Sequence, residues 1–484
     1  GSVWIPRRNA LVAVLASIGP DIGVHLRGEP MSLFGSIRAR LLYGTLALAL
    51  VPLLAATVLI AALAYRDARS SLSERAIDQL TSIRTVKQSE TVAYMDSLRT
   101  TVRVLAQNPF LRDSAVQLRA AFGAAGAAQT LDIEAQRTAL KAYYENDFIQ
   151  QYEKRNPGGQ VAMGQYVAQL PAETVTLQYQ YIASNPNPLG RKNDLNVAPG
   201  ETAYNQLHAA LHPFMRQVVE QYGFYDVFLI DPETGYVVYT FFKELDFSTS
   251  LINGPWAETG LADAFRSARD GADPDQPVLV DFRKYLPSYD DGAAFFAVPM
   301  VQDGQVIAVF AAQVPLNKIE EIASFRANWA EAGLGATGEM YLIGPDELMR
   351  TTSRGMVQNV ESFLGRVAAL GYDASAVSAM RARKATVGLL KVNTDASRAA
   401  LAGQTGAGSY RNLFGETVLG AYAPIDIGGL NWGLVTEIHQ QEALAPANAL
   451  LQRIAIGATV VGLLLALIAA VVANRLARSI NTPV

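Results

Sequence analysis

Two long uncharged apolar runs bracket this chain and constrain its fold before anything else does. The first is Leu41–Tyr65, LLYGTLALALVPLLAATVLIAALAY, and the second is Ile454–Asn474, IAIGATVVGLLLALIAAVVAN. At ~1.5 Å rise per residue, a helix of either length spans a hydrocarbon core of ~30 Å. Pro52 inside the first run implies at most a kink. Both runs are predicted to be transmembrane helices, so the lipid bilayer is an expected partner. Arginines precede the first run (Arg7, Arg8, Arg27, Arg38, Arg40) and follow the second (Arg475, Arg478), which places both ends in the cytoplasm. Arg66 and Arg69 oppose that bias, but a long loop is translocated largely regardless of such charges. Residues 66–453 are therefore expected outside the cytoplasm.

The chain carries 40 Lys+Arg against 44 Asp+Glu, a net charge of −4, so no overall basic field attracts nucleic acid. Cysteine is absent, which excludes disulfides, thiolate catalysis and Cys-ligated metals. Residues 1–40 read as an N-terminal tail. Within it, Leu11–Gly19 is too short to span a bilayer, and Gly1–Pro30 reads as an extension ahead of a natural start at Met31, or as a cytoplasmic tail.

After the first run (41–65), residues 66–107 read as a long stalk helix. Leu72, Ala76, Leu80, Ile83, Val86, Val92, Met95, Leu98, Val102 and Leu105 recur mostly at three- and four-residue steps, with a gap near Ser89, and Asn108-Pro109 stops the pattern. One stripe on so long a helix needs a partner, either the following domain or a second subunit. Residues 108–224 read as a helical elaboration, with helices expected over Leu131–Glu153 and Asn205–Tyr222. From Tyr225 the period changes to that of strands. Tyr225–Ile230 and Tyr236–Phe241 flank the turn Asp231-Pro232-Glu233-Thr234-Gly235, Val278–Phe282 is a third strand, and Ala293–Met300 with Gln305–Val314 form a hairpin. The same order returns later: Glu339–Ile343 runs into Gly344-Pro345-Asp346, and Thr417–Pro424 pairs with Asn431–Ile438 around Gly428-Gly429. Two copies of strand–turn–strand, helical middle and hairpin imply two tandem modules, 225–325 and 326–446, followed by a linker helix at 447–453. The fold class is α+β: a long N-terminal helix and two α/β modules with antiparallel sheets, flanked by the two membrane helices (the second at 454–474).

The phrases Tyr225–Gly235 (YDVFLIDPETG), Phe247–Leu261 (FSTSLINGPWAETGL), Tyr285–Tyr289 (YLPSY) and Gly338–Arg350 (GEMYLIGPDELMR), set between two membrane spans, resemble the double-Cache (dCache) extracytoplasmic sensors of bacterial transmembrane receptors. Residues 475–484, with Arg478 and Pro483, resemble the entry to a HAMP relay. The resemblance implies PAS-like modules, a membrane-distal one at 225–325 and a proximal one at 326–446. It also implies a homodimer in a bacterial inner membrane, a small-molecule ligand outside, and a cytoplasmic output reached through HAMP. Such outputs are chemoreceptors, histidine kinases, nucleotide cyclases or phosphatases.

Chemistry is sparse. His208 and His212 stand four apart on an expected helix, but the residues between them are Ala209, Ala210 and Leu211, with no HExxH pattern. His25 and His439 stand alone. Gly333–Gly338 matches GxGxxG but precedes a strand, so it reads as a turn. No cofactor and no catalytic set is expected. Candidate ligand-binding residues are Trp256, Tyr285, Tyr289, Asp290 and Asp291, with Tyr239 and Lys243 at the end of the second strand. Aromatic walls with carboxylates suit an amine or another small cation. In the amino-acid-binding form of the resembled family an Arg-x-Trp-Tyr string grips the ligand carboxylate; here Asn253-Gly254-Pro255-Trp256-Ala257 stands instead. The tyrosines Tyr143, Tyr144, Tyr179 and Tyr181 are expected to pack the helical insert. Two other readings compete with the receptor: a membrane-tethered ectoenzyme, and an adhesion module that binds protein partners.

Overall fold

A computed structural model describes residues 37–126 and 132–480. The N-terminal tail with Met31 and His25, the start of the helix expected from Leu131, and the HAMP entry beyond Ile480 lie outside the described residues. The rest divides into two compact units, one holding the apolar segments up to Arg66 and from Asn448, the other spanning Asp67–Ala447.

In the first unit both apolar segments are helical. Each has a window of mean hydropathy 2.7 with none of it buried, so two helices are long and apolar enough to cross a membrane. Their few polar side chains turn inward: the Thr57 hydroxyl donates to the Leu53 carbonyl at 2.8 Å, and that of Thr459 to Ala455 at 2.9 Å. A hydroxyl satisfied one turn back is cheap to carry through hydrocarbon. The first helix, Ile37–Ala106, is continuous for 70 residues and runs through Pro52.

In the second unit the distal sheet has five strands: β1 (Val227–Ile230), β2 (Val237–Thr240), β3 (Val278–Tyr285), β4 (Asp291–Gln302) and β5 (Gln305–Gln313). Their order is β2-β1-β5-β4-β3 and every pairing is antiparallel. Asp303 and Gly304, with φ 52° and 78°, make the tight β4–β5 turn that an Asp-Gly pair favours. The proximal sheet has four antiparallel strands: β6 (Glu339–Ile343), β7 (Gly406–Arg411), β8 (Thr417–Ile427) and β9 (Leu430–His439), in the order β6-β9-β8-β7. The repeat is therefore incomplete. The strand expected after Gly344-Pro345-Asp346 is reduced to isolated bridges, Ile343 to Met349 and Leu348 to Lys391. Glu347 at φ 64° turns the chain early, and the Met349 N–H pairs with the Leu390 carbonyl at 2.9 Å instead of a sheet neighbour.

The stalk helix packs on both modules. Leu80 sits with Trp329, Leu334, Leu419 and Ala421 of the proximal module, while Met95, Leu98, Val102 and Leu105 enter the distal core. Val86 leaves the stripe and is 63% exposed. Around it the contacts are polar: Arg84 donates to the Tyr422 carbonyl at 3.1 Å and Gln88 to that of Pro424 at 2.8 Å. The gap in the periodicity near Ser89 is where the helix passes from one module to the next.

The modules are also joined directly. Arg350, 1% exposed, donates to both oxygens of Asp281 on β3, at 3.1 and 2.7 Å, with its guanidinium 5.9 Å from the Trp432 ring centroid. Forked arginine–carboxylate pairing is strong and directional. Arg350→Ala leaves Asp281 unpaired, and a loss of about 3 kcal/mol is expected, at the low end for a buried pair because Asp281 is partly open. Urea unfolding of the full chain in detergent measures it. A double-mutant cycle with Asp281→Ala should show coupling, and strict additivity would remove this joint from the account.

Candidate functional site

The site begins with a loop that faces inward. After β2 the sequence Phe241-Phe242-Lys243-Glu244-Leu245-Asp246-Phe247 carries three charges among aromatics. A solvent loop would turn those charges out; this one buries Lys243 and Asp246 at 2% and 0% exposure, beside fully buried Asp226 ahead of β1. The helical insert roofs it. Gln178 donates to the carbonyls of Leu245 (3.0 Å) and Phe247 (2.6 Å), and Tyr144 donates to Gln178 at 2.7 Å. Tyr144 and Tyr181 each lie in a π-helical turn, Tyr144–Phe148 and Tyr179–Ala183. Such turns insert one extra residue into a helix and often mark functional positions.

Asp226 is held as an acceptor. Its Oδ1 takes N–H donors from Val227 (2.7 Å), Phe241 (2.8 Å) and Phe242 (3.0 Å), and its Oδ2 takes the Thr240 hydroxyl. Burial pushes its carboxyl upward, while these donors and the Lys243 ammonium pull it back. The three backbone N–H groups on Oδ1 can only donate, so the ionised form fits the geometry. Lys243 is driven the other way, downward by burial, with Asp226 and Asp246 opposing. Its ammonium donates to the Thr240 carbonyl and lies 4.3 Å from the ring centroid of Tyr239, 5.1 Å from Phe247 and 5.8 Å from Tyr181. Asp246 accepts the Tyr285 hydroxyl at 2.5 Å, and burial together with Asp226 raises it to about 7. Glu244 lies well above the usual carboxylate range, through burial and then Asp246, and accepts from Tyr225 and Ser288 at 2.8 and 2.7 Å.

The histidine pair forms the far wall, with rings stacked 4.7 Å apart. His212 is lowered to about 3 by burial and by Lys243. Its Nε2 faces the Asn193 carbonyl at 2.7 Å and so carries the proton, leaving Nδ1 to accept from the Tyr239 hydroxyl, also at 2.7 Å. His208 Nδ1 faces the Asn196 carbonyl at 2.8 Å by the same logic, and burial keeps that ring neutral. Its Nε2 is a buried lone pair without a partner, as is Oδ1 of Asp246, and Ser248 Oγ is a buried hydroxyl without one. Among the described residues no His, Asp or Glu cluster could hold a metal ion. What the chamber can do chemically is bind a cation through ring faces, carboxylates and a nitrogen lone pair.

Of the seven residues singled out in the sequence, the structure brings Tyr239, Lys243 and Tyr285 into this chamber. Trp256 is buried at its edge, donating to the Leu245 carbonyl at 3.0 Å and stacking on Tyr166 at 5.1 Å. Tyr289 and Asp290 lie in a separate turn, with φ of 60° and 61°, and Asp291 follows it as the first residue of β4. Arg155 pairs with Asp291, Tyr152 donates to Asp290 at 3.0 Å, and Arg383 of the proximal module donates to the Asp290 carbonyl at 2.9 Å. That turn holds the insert and the two modules together. Sequence reasoning missed Asp226 and Asp246, weighed His208 and His212 only as a metal pair, and assigned Tyr181 to packing alone. The available signal was three charged residues embedded in an aromatic run.

No protein-family model matches the chain, and no curated protein matches it. Solved structures similar to part of it include the ligand-binding domain of the amino acid chemoreceptor PctB of Pseudomonas aeruginosa PAO1 in complex with L-Arg, at 14% identity and TM-score 0.28, covering 48% of this chain and 80% of that one. The corresponding domain of PctC from the same organism, in complex with GABA, matches at 12% identity and TM-score 0.29 over 52% of this chain and 86% of that one. That of chemoreceptor CtaA of Pseudomonas fluorescens, in complex with L-leucine, matches at 12% identity and TM-score 0.28 over 64% and 92%.

A pH dependence follows from Asp246. Its folded pKa, about 7, lies above that of a free aspartate, so between about pH 4 and 7 the native state binds the extra proton. The stability this contributes is complete below pH 4 and is lost as pH rises through 7. Thermal melts of the wild type should therefore fall from pH 5 to pH 7, and Asp246→Asn, which cannot ionise, should flatten that decline. Equal slopes would show that Asp246 does not titrate there.

Proposed function

We propose that this chain is the sensory part of a bacterial inner-membrane receptor, with an extracytoplasmic double-Cache body whose distal module recognises a small ligand. The observation that carries the reading is the buried polar cluster around Lys243, roofed by the helical insert. Stability alone would fill a core of this depth with apolar side chains; here a lysine, two aspartates and two histidines are gathered, with Asp246 Oδ1 and His208 Nε2 left without partners. Buried polar atoms without partners cost ~1–3 kcal/mol each, so such a cluster is more economical as a binding site than as packing. The seven residues named from sequence enter this proposal in two roles. Tyr239, Lys243, Tyr285 and Trp256 surround the ligand, and Tyr289, Asp290 and Asp291 set the neighbouring turn that links insert to module.

The two apolar helices supply anchors in the bilayer, with both chain ends in the cytoplasm. A second copy would pack along the stalk, where Val86 and Val104 are 63% and 57% exposed and, eighteen positions apart, share one helix face. Binding in the distal module would shift its sheet against the stalk. The proximal module would pass the shift through β9 into the helix Ala445–Ile480, and from there to a HAMP relay and a cytoplasmic output. A ligand achieves this only through different affinities for two packings.

The test is a small-ligand panel read by melting temperature on the full chain in nanodiscs. A ligand at a hundred times its Kd should stabilise by about 2.7 kcal/mol. Tyr239→Ala should abolish that gain. Because the native chain has no cysteine, pairs introduced along Ile454–Asn474 give a clean crosslinking readout of the second span. An unchanged crosslinking pattern with saturating ligand would overturn the receptor reading.

A further inference from the structure

Lys243 occupies the place a ligand cation would take, and it does so poorly. An ammonium offers three donors. This one makes a single hydrogen bond, to the carbonyl of Thr240 three residues back, and closes no ion pair with Asp226 or Asp246 among the described residues. Its backbone sits at φ 62°, a region that a lysine rarely adopts. Three ring faces surround the nitrogen within 5.8 Å. Oδ1 of Asp246 and Nε2 of His208 are buried acceptors without donors in the same chamber. The cage is thus built for a better-satisfied ammonium than the one it holds.

We propose that Lys243 is a tethered occupant of a small-amine site, closing the cage in the free protein and giving way to a primary alkylammonium ligand. The proposal rests on the distal module being the sensory site. A primary ammonium suits the cage better than a quaternary one, because the unpartnered acceptors need N–H donors. The alternative is that Lys243 stays in place and receives the carboxylate of an anionic ligand; the test separates the two. The titratable groups facing Lys243 are Asp226 ahead of β1, Asp246 on its own loop, Tyr239 on β2, His208 and His212 on the helix Ala203–Tyr222, and Tyr181 of the insert. Raising the pH discharges the tether and ionises Asp246, so both effects favour an entering cation.

Lys243→Ala removes three methylenes and the ammonium, which together are n-propylammonium. The full chain in detergent is melted with n-propylammonium chloride, potassium chloride, tetramethylammonium chloride or sodium butyrate at equal concentration. Lys243→Ala should melt several degrees below wild type, and propylammonium should restore at least half of that loss while potassium and tetramethylammonium restore none. Wild type should respond to propylammonium less than the variant does, and more at pH 8.5 than at pH 6.5. If Lys243→Ala does not fold unaided, refolding it in each salt is the readout, and recovery in propylammonium alone is the expected result. Equal responses to all salts, recovery in none, or stabilisation of wild type by butyrate that Lys243→Ala loses would each overturn the proposal. Absent rescue alongside a wild type that binds another ligand removes the tether and leaves the sensor. A clean rescue in a chain whose second span never responds leaves the cage and removes the sensor.

Discussion

One helix serves two sheets, and that shared seam is the constraint on which the body between the two apolar segments depends. The stalk contributes Leu80 to the proximal module and Met95 through Leu105 to the distal core. Neither module can move along the helix without exposing side chains that are now almost wholly buried, at ~25 cal/mol per Å² of apolar surface. Between the two apolar stretches the contacts change to single hydrogen bonds onto carbonyls, from Arg84 and Gln88. Those are directional and exchangeable with water, so the middle of the seam adjusts more easily than its ends.

Against that seam the modules are tied by charges held at different depths. Arg350 reaches Asp281 from an interior position, and Arg383 reaches the Asp290 carbonyl across the neighbouring turn. The first fixes β3 to the loop after β6; the second fixes the turn before β4 to the helix Ala374–Arg383. The buried cluster around Lys243 touches the same strand, because Tyr285 at the end of β3 donates to Asp246 of the β2 loop. A change in how that loop packs therefore meets directly the strand that carries Asp281.

Much of this fold was legible in the sequence because it obeys simple periods. The apolar runs, the three-and-four stripe of the stalk, the Asp-Gly turn at Asp303-Gly304 and the Gly428-Gly429 hairpin each follow from local rules. The stripe even marked its own interruption at Ser89. What was not legible was long-range. The second strand of the proximal module fails because Glu347 turns early and Met349 finds its partner at Leu390, far along the chain. Lys243 and Tyr239 were visible as charge and ring at a strand end, whereas Asp226 reads as an ordinary interruption and Asp246 as an ordinary loop aspartate. Gln178 and Tyr144, from a helical region with no strong pattern, join Trp256 and Tyr285 in holding that loop inward. Tyr289, Asp290 and Asp291 were noticed for their chemistry, yet their neighbours Arg155 and Arg383 lie far away in sequence.

The two π turns in the insert bear on how such a body can change over time. Each holds one residue beyond what an α-helix of the same path needs. Because the extra residue is absorbed inside the turn, losing it would leave the flanking helical segments in phase and alter only the turn itself. Tyr144 and Tyr181 both lie in these turns, so the change would fall on the ring that donates to Gln178 and on the ring beside Lys243. The insert thus carries two places where the length of a single turn, and not the identity of a side chain, sets how the buried cluster is roofed.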